Sequence, residues 1–328
     1  MDAKEIQQAI FQQIKSRLAP NLVLVDTVAE LLNISTDSAY RRIRGEKPIS
    51  LDEVQLLCSS FGISLDTLLQ IKSGAFLFAG KNVDERNFRF DEYLDDIIQQ
   101  LGYFHSFEEK KMYWHCKDLP VFHHYFNREI AAFKYYFWMK VIFPEFQDKK
   151  FSWTDYPDSL FSKGQKILHL YNTIPSVEIW NVESFSSTIH QIEFFKDTRC
   201  FTSAGDVRLL YEKLEDLLDL LEDTADKGFK KPILNDGLKG APFELYQNDM
   251  LLGHNTIVAQ IGKSHIVYLN HSVINYVGTR DVGFCEYTVR HMQNLMRKST
   301  LISSVSEKER RNFFYAMRQK IQEKKKAL

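Results

Sequence analysis

The stretch that decides the fold is Val28-Ala29-Glu30-Leu31-Leu32-Asn33-Ile34-Ser35, followed by Ala39-Tyr40-Arg41-Arg42-Ile43-Arg44-Gly45. It reads as two short helices on either side of a tight turn. Val28, Leu31 and Leu32 recur at helical spacing and form the expected buried face of the first helix, from Val25. Asn33 ends it, because a short polar side chain tolerates the left-handed backbone such a turn needs. Ser35 caps the next helix, which runs to Arg44 and is closed by Gly45. Ala29 lies where the two helices cross, and a larger side chain would push them apart. Upstream, Ile6, Ile10, Phe11, Ile14 and Leu18 mark an amphipathic helix that ends before Pro20. Downstream, Ser50 and Glu53 form a capping box ahead of Val54, Leu57 and Phe61, and Gly62 stops that helix. Ser64–Leu69 gives a short fifth one, and Ile71–Gly74 is the expected hinge to the rest of the chain.

These residues resemble the Cro/C1-type (XRE) helix-turn-helix domain of transcriptional regulators, a five-helix lambda-repressor-like fold, over about residues 1–72. Asn33 stands where glycine is more usual at the turn, and Arg42 where an aliphatic residue is commonly buried. The resemblance implies that the third helix enters the major groove of double-stranded DNA with its N-terminal residues toward base edges. Carried onto this chain, the reading surface is Ser35, Thr36, Asp37, Tyr40, Arg41, Arg44 and Lys47. Arg41 or Arg44 would bind guanine through two hydrogen bonds, while the hydroxyls, Tyr40 and Lys47 suit phosphate. Asp37 would accept from cytosine or hold an arginine in place. Tyr40–Arg44 is expected to expose three arginines.

Charge sets the expected strength of such binding. The 328-residue chain has a formal net charge of −1, and residues 1–72 hold eight Lys/Arg against nine Asp/Glu. Thr36–Lys47 has a surplus of two positive charges, a small phosphate footprint, so a homodimer reading two half-sites is expected. No run approaches the roughly 20 apolar residues of a membrane span. The charged start lacks the apolar core of a signal peptide. Cys58, Cys116, Cys200 and Cys285 lie far apart, and a reducing cytoplasm is the expected location.

The remainder, 75–328, reads as a mostly helical domain with a small β element, making the whole chain mainly α. Residues 75–240 are helical and aromatic-rich, with helices expected at Leu160–Tyr171 and Val182–Phe195; 241–328 form a β-hairpin plus helices. The hairpin is Thr256–Ile261 and Ser264–Leu269 around Gly262-Lys263, with Phe243–Tyr246 as a further strand. In Ser203–Ala225, Val207, Leu210, Leu214, Leu217 and Leu221 keep a heptad-like spacing that suits either core packing or a dimer seam. Residues 206–226 carry a net −6 and 306–328 a net +5, so the last helix, capped by Ser306 with Glu309, is expected to pair with the acidic helix or with DNA phosphate. Twenty aromatic residues lie between Phe88 and Trp153. They form either a dense core or, in part, the wall of a pocket for an apolar small-molecule effector.

Signals for chemistry are weak. His115, Cys116, His123 and His124 fall within ten residues, but Pro120 interrupts them, and buried histidines are the expected outcome rather than a metal site. His254, His265 and His271 on or near the hairpin are expected at surface or core positions. No phosphate-binding glycine loop or nucleophile elbow is present. Neither a catalytic residue nor a cofactor is therefore expected. The reading is a sequence-specific DNA-binding transcriptional regulator. The alternative is a protein-interaction protein whose helix-turn-helix module does not bind DNA.

Overall fold

The structure of the protein is a computed structural model that describes all residues except 1, 64, 66–75, 82, 235–236 and 251–252. The chain divides into two compact units, Met1–Ala79 and Gly80–Leu328. The expected hinge at 71–74 and nearly all of the expected fifth helix lie outside the described residues.

The first unit is built from α1 (Ala3–Arg17), α2 (Leu24–Leu32), α3 (Thr36–Ile43) and α4 (Leu51–Phe61). Its core gathers Ile10, Phe11, Ile14, Val28, Ala39 and Leu57. Local signals account for the ends of these helices. Asp2 and Glu5 close a capping box at α1, as do Ser50 and Glu53 at α4, and Gly62 ends α4 in the left-handed region. Asn33 holds the α2–α3 turn at φ 51°, and the Ile34 N–H returns to the Ala29 carbonyl at 3.0 Å. The buried residues of α2 are Val28 and Ala29, with Leu31 and Leu32 only half-buried. The small side chains of Ala29 and Ala39 leave room for α2 and α3 to pack closely.

The second unit overturns the expectation of a mainly α chain whose C-terminal part holds only a small β element. Seven strands form one mixed sheet: β1 (Lys110–Cys116), β2 (Ser176–Trp180), β3 (Phe243–Gln247), β4 (Thr256–Ile261), β5 (Ser264–Ser272), β6 (Asn275–Thr279) and β7 (Thr300–Leu301). Their order is β6-β5-β4-β1-β2-β3-β7; β1–β2 and β2–β3 are parallel and the other pairs antiparallel. The hairpin is β4–β5, but it is the flank of a larger sheet rather than a separate element. The parallel pairs require long crossovers. From β1 to β2 the chain passes through a 3-10 segment (Val121–Phe126), α6 (Arg128–Ile142) and α7 (Asp158–Asn172), and from β2 to β3 through α8 (Val182–Asp197) and α9 (Ala204–Lys227). With α5 (Phe90–His105) and α11 (Glu307–Lys326), these helices form the large core on one face of the sheet. The other face carries α10 (Val282–Arg297), packed over Ile179, Val258 and Val267.

Strand alternation sorts the aromatic-rich segment between these faces. Met112 and Trp114 of β1 join the six-helix core with Cys116, whereas His115 turns toward His291 of α10, ring centroids 6.4 Å apart. Much of the aromatic block is a dense core: Phe133 packs edge-on against Phe151 and Phe195, and Tyr136 against the same two rings. The heptad-spaced residues of α9 are all buried in this core, which settles their use in packing.

The expected pairing of the basic last helix is found with α9. Arg318 of α11 meets Asp219 and Glu222, each at 2.6 Å, Lys325 meets Glu215 at 2.7 Å, and Arg310 meets Asp226. Lys320 and Lys324 extend the set to Glu183 and Glu193 of α8. The cap of α11 differs from expectation. Ser306 lies in the left-handed region at φ 54° and its side chain makes no capping bond, so the Ser306–Glu309 box does not form.

Candidate nucleic-acid interface

Helix α3 is fixed from beneath by two side chains. Gln7 of α1 donates to the carbonyls of Arg42 (2.6 Å) and Lys47 (2.8 Å) and accepts from the N–H of Ile49 (3.2 Å), tying down the loop after α3. Arg42 is buried. Its guanidinium forms a fork with Glu53 of α4, Nη2–Oε1 2.8 Å and Nε–Oε2 3.2 Å, and also donates to Ser38. Glu53 in turn accepts from the Ser50 N–H at the start of α4. The hydrogen bond from Arg42 holds the Glu53 carboxyl below its ordinary range despite partial burial. A charged pair thus does the work of an aliphatic contact and sets the rotation of α3 about its axis.

That rotation leaves Ser35, Thr36, Asp37, Tyr40, Arg41, Arg44 and Lys47 all exposed. Asp37, Tyr40, Arg41 and Arg44 share one side of the helix and its end, being spaced i, i+3, i+4 and i+7. Ser35 accepts from the Ser38 N–H at 3.3 Å, so its hydroxyl serves the helix as well as the surface. Arg44 lies over the Tyr40 ring at 4.3 Å, donates to its hydroxyl at 2.9 Å, and sits 3.7 Å from Glu46. The side chains of Arg41 and Asp37 make no hydrogen bond or ion pair among the described residues. One expectation is corrected: Tyr40–Arg44 exposes two arginines, not three, because Arg42 spends its charge on Glu53. Against Asp37 and Glu46, the outward cations Arg41, Arg44 and Lys47 leave a local surplus of one.

Gln7 and Glu53 were not legible as positioning residues. Gln7 is one of four glutamines on α1, with nothing local to single it out, and the spacing of Ser50 and Glu53 signals only a capping box.

The histidines of the second unit are dispersed by its fold. His115 and Cys116, adjacent in sequence, fall on opposite faces of β1. Burial and neighbouring His291 hold the His115 imidazole down at about 4. His123 bonds Glu178 at 2.9 Å, and His124 is buried against Trp138. Glu178, wholly buried in the middle of β2, also accepts from Trp180 Nε1 at 2.8 Å and from Tyr171. Burial pushes its carboxyl up, but His123 and the hydrogen bonds outweigh that and keep it below its ordinary value. Lys230 closes the cluster by donating to the Tyr171 and Ile174 carbonyls and to Ser176 Oγ. Among the described residues no three His, Cys, Asp or Glu side chains gather as a metal site would require.

With this geometry in place, the comparison with known families is specific. The BetR domain model matches residues 7–76. The BetR domain is a helix-turn-helix-like domain associated with DNA binding, which suggests a regulatory role. The match starts at Gln7, the residue that ties α1 to the loop after α3, and covers α2, α3 and α4. No curated protein and no solved structure matches the chain. Among the described residues, no helix is long and apolar enough to cross a membrane.

Proposed function

We propose that the protein is a sequence-specific transcriptional regulator that binds operator DNA as a homodimer, with α3 in the major groove and the larger unit serving dimerisation and effector sensing. The observation that carries this reading is the α3 surface: seven polar or charged residues stand exposed on and beside one helix, whose rotation is locked by the Arg42–Glu53 fork and by Gln7. Arg41, whose side chain makes no hydrogen bond or ion pair among the described residues, is the leading base-reading residue, and Arg44 joins it by leaving Tyr40. An exposed cation–π contact is worth about 0.5–1 kcal/mol, which a bidentate guanine contact of about 1–3 kcal/mol outweighs. Thr36, Tyr40 and Lys47 contact phosphate, and Asp37 accepts from cytosine or orients Arg41.

The test is a gel shift with fragments of the source genome at low salt. The wild type is expected to retard a subset of fragments, and Arg41→Ala and Arg44→Ala to abolish the shift without altering the melting temperature. A dimer that retards no fragment would instead point to a protein-interaction module.

A further inference from the structure

A cavity of about 400 Å³ opens in the larger unit between α5 and the six-helix face of the sheet. Its mouth is formed by Gly80, Lys81, Val83, residues 87–89 and the outer turns of α5, where the charged side chains are Lys81, Arg89, Glu92 and Asp96. These neutralise one another: Lys81 pairs with Asp96 at 2.5 Å and Arg89 lies 3.9 Å from Glu92. Deeper, the wall is apolar and aromatic, formed by Ile97, Leu101 and Phe104 of α5, Met112 and Trp114 of β1, and Phe122. From the sheet, Ile257, Tyr268 and Tyr276 complete it. Gln100 donates to the Tyr268 hydroxyl at 2.5 Å, so that polar pair satisfies itself. Trp114 is held edge-on by Phe122 and Tyr276.

An apolar pocket of this size with few polar groups is the form that binds small molecules. We propose that this cavity binds an uncharged, mainly apolar, ring-bearing small molecule. The balanced charges at the mouth give an ionic ligand no partner that is not already paired, while the aromatic wall favours a flat or ring-bearing body. This deepens the effector reading proposed above and rests on it. Binding is therefore measured without DNA, so that its failure leaves the DNA-binding reading untouched.

The probe is prodan, a neutral naphthalene that carries a ketone and fluoresces blue-shifted in apolar surroundings. Full-length protein is titrated with it, and saturation at one site per chain is expected. Ile97→Trp, which fills the cavity from its partly buried edge, should abolish binding while the melting temperature holds. A naphthalene sulfonate of similar size, added as a competitor, should bind at least about tenfold more weakly than prodan, because the charges at the mouth are already paired. No saturable binding, or binding that survives Ile97→Trp, would overturn the cavity as the site. Equal affinity of prodan and the naphthalene sulfonate would overturn the preference for an uncharged ligand.

Discussion

Replacing Arg42 by alanine would strip Glu53 of its fork and open a gap beneath α3, among the apolar side chains of the first unit. Hydrogen bonds to charged groups are worth about 1.5–3 kcal/mol, so Arg42→Ala is expected to destabilise residues 1–79 by about 2–3 kcal/mol in chemical denaturation. The pair also predicts a pH dependence. The Glu53 carboxyl is held below its ordinary value of 4.5 in the folded unit, so its contribution is present above pH 4.5 and is lost as pH falls through the lower folded value. Glu53→Gln should flatten that acid limb; an unchanged limb would assign it to other carboxylates. At this scale the sequence was readable where a residue acts on its own backbone. Asn33 at the turn, Ser35 as a cap and Gly62 as a stop follow from local stereochemistry. Arg42 was not, since the partner that makes its burial tolerable sits eleven residues away, on another helix.

Helices α9 and α11 show what charge patterning does between elements. Their opposite charges meet side by side over a seam in which Phe313, Phe314, Met317 and Ile321 of α11 are buried against the core. Exposed ion pairs contribute only about 0–1 kcal/mol each, whereas truncating a buried phenylalanine costs about 3–5 kcal/mol. Phe314→Ala should therefore lower the stability of the larger unit several times more than Arg318→Ala, as measured by calorimetry or urea unfolding. Comparable losses would mean that the ion pairs, and not the apolar seam, fix the helix. Long amphipathic helices such as α9 were readable from periodicity because one face meets water. The strands β1 and β2 were not. They lie in the middle of the sheet with both faces covered, so no polar–apolar alternation survives, and Glu178 and His115 place polar groups where a strand reading expects apolar ones.

For the whole molecule, the near-zero net charge resolves into charges that are already used. The acidic and basic helices neutralise each other within the larger unit, and Arg42 is consumed inside the smaller one. With Arg41 and Arg44 on bases, Lys47 is the outward cation of α3 left for phosphate; even if all three faced phosphate, a dimer would neutralise about six, so the log–log salt slope of DNA affinity is no steeper than about −5. A much steeper slope, measured by fluorescence anisotropy, would place further phosphate contacts elsewhere on the chain. The two units have separate cores, so thermal unfolding is expected in two transitions, with Arg42→Ala lowering only one of them.

The position of α11 also bears on the order in which the protein is made. Sheet strands β1 to β7 are all synthesised before it, yet the core they share with α6, α8 and α9 lacks four large apolar side chains until residues 307–326 have appeared. During synthesis the larger unit must wait, with aromatic surface uncovered, while every described member of the first unit's core, from Ile6 to Leu65, is already made. A nascent chain halted near residue 305 should thus present a folded first unit and a second one that chaperones still hold.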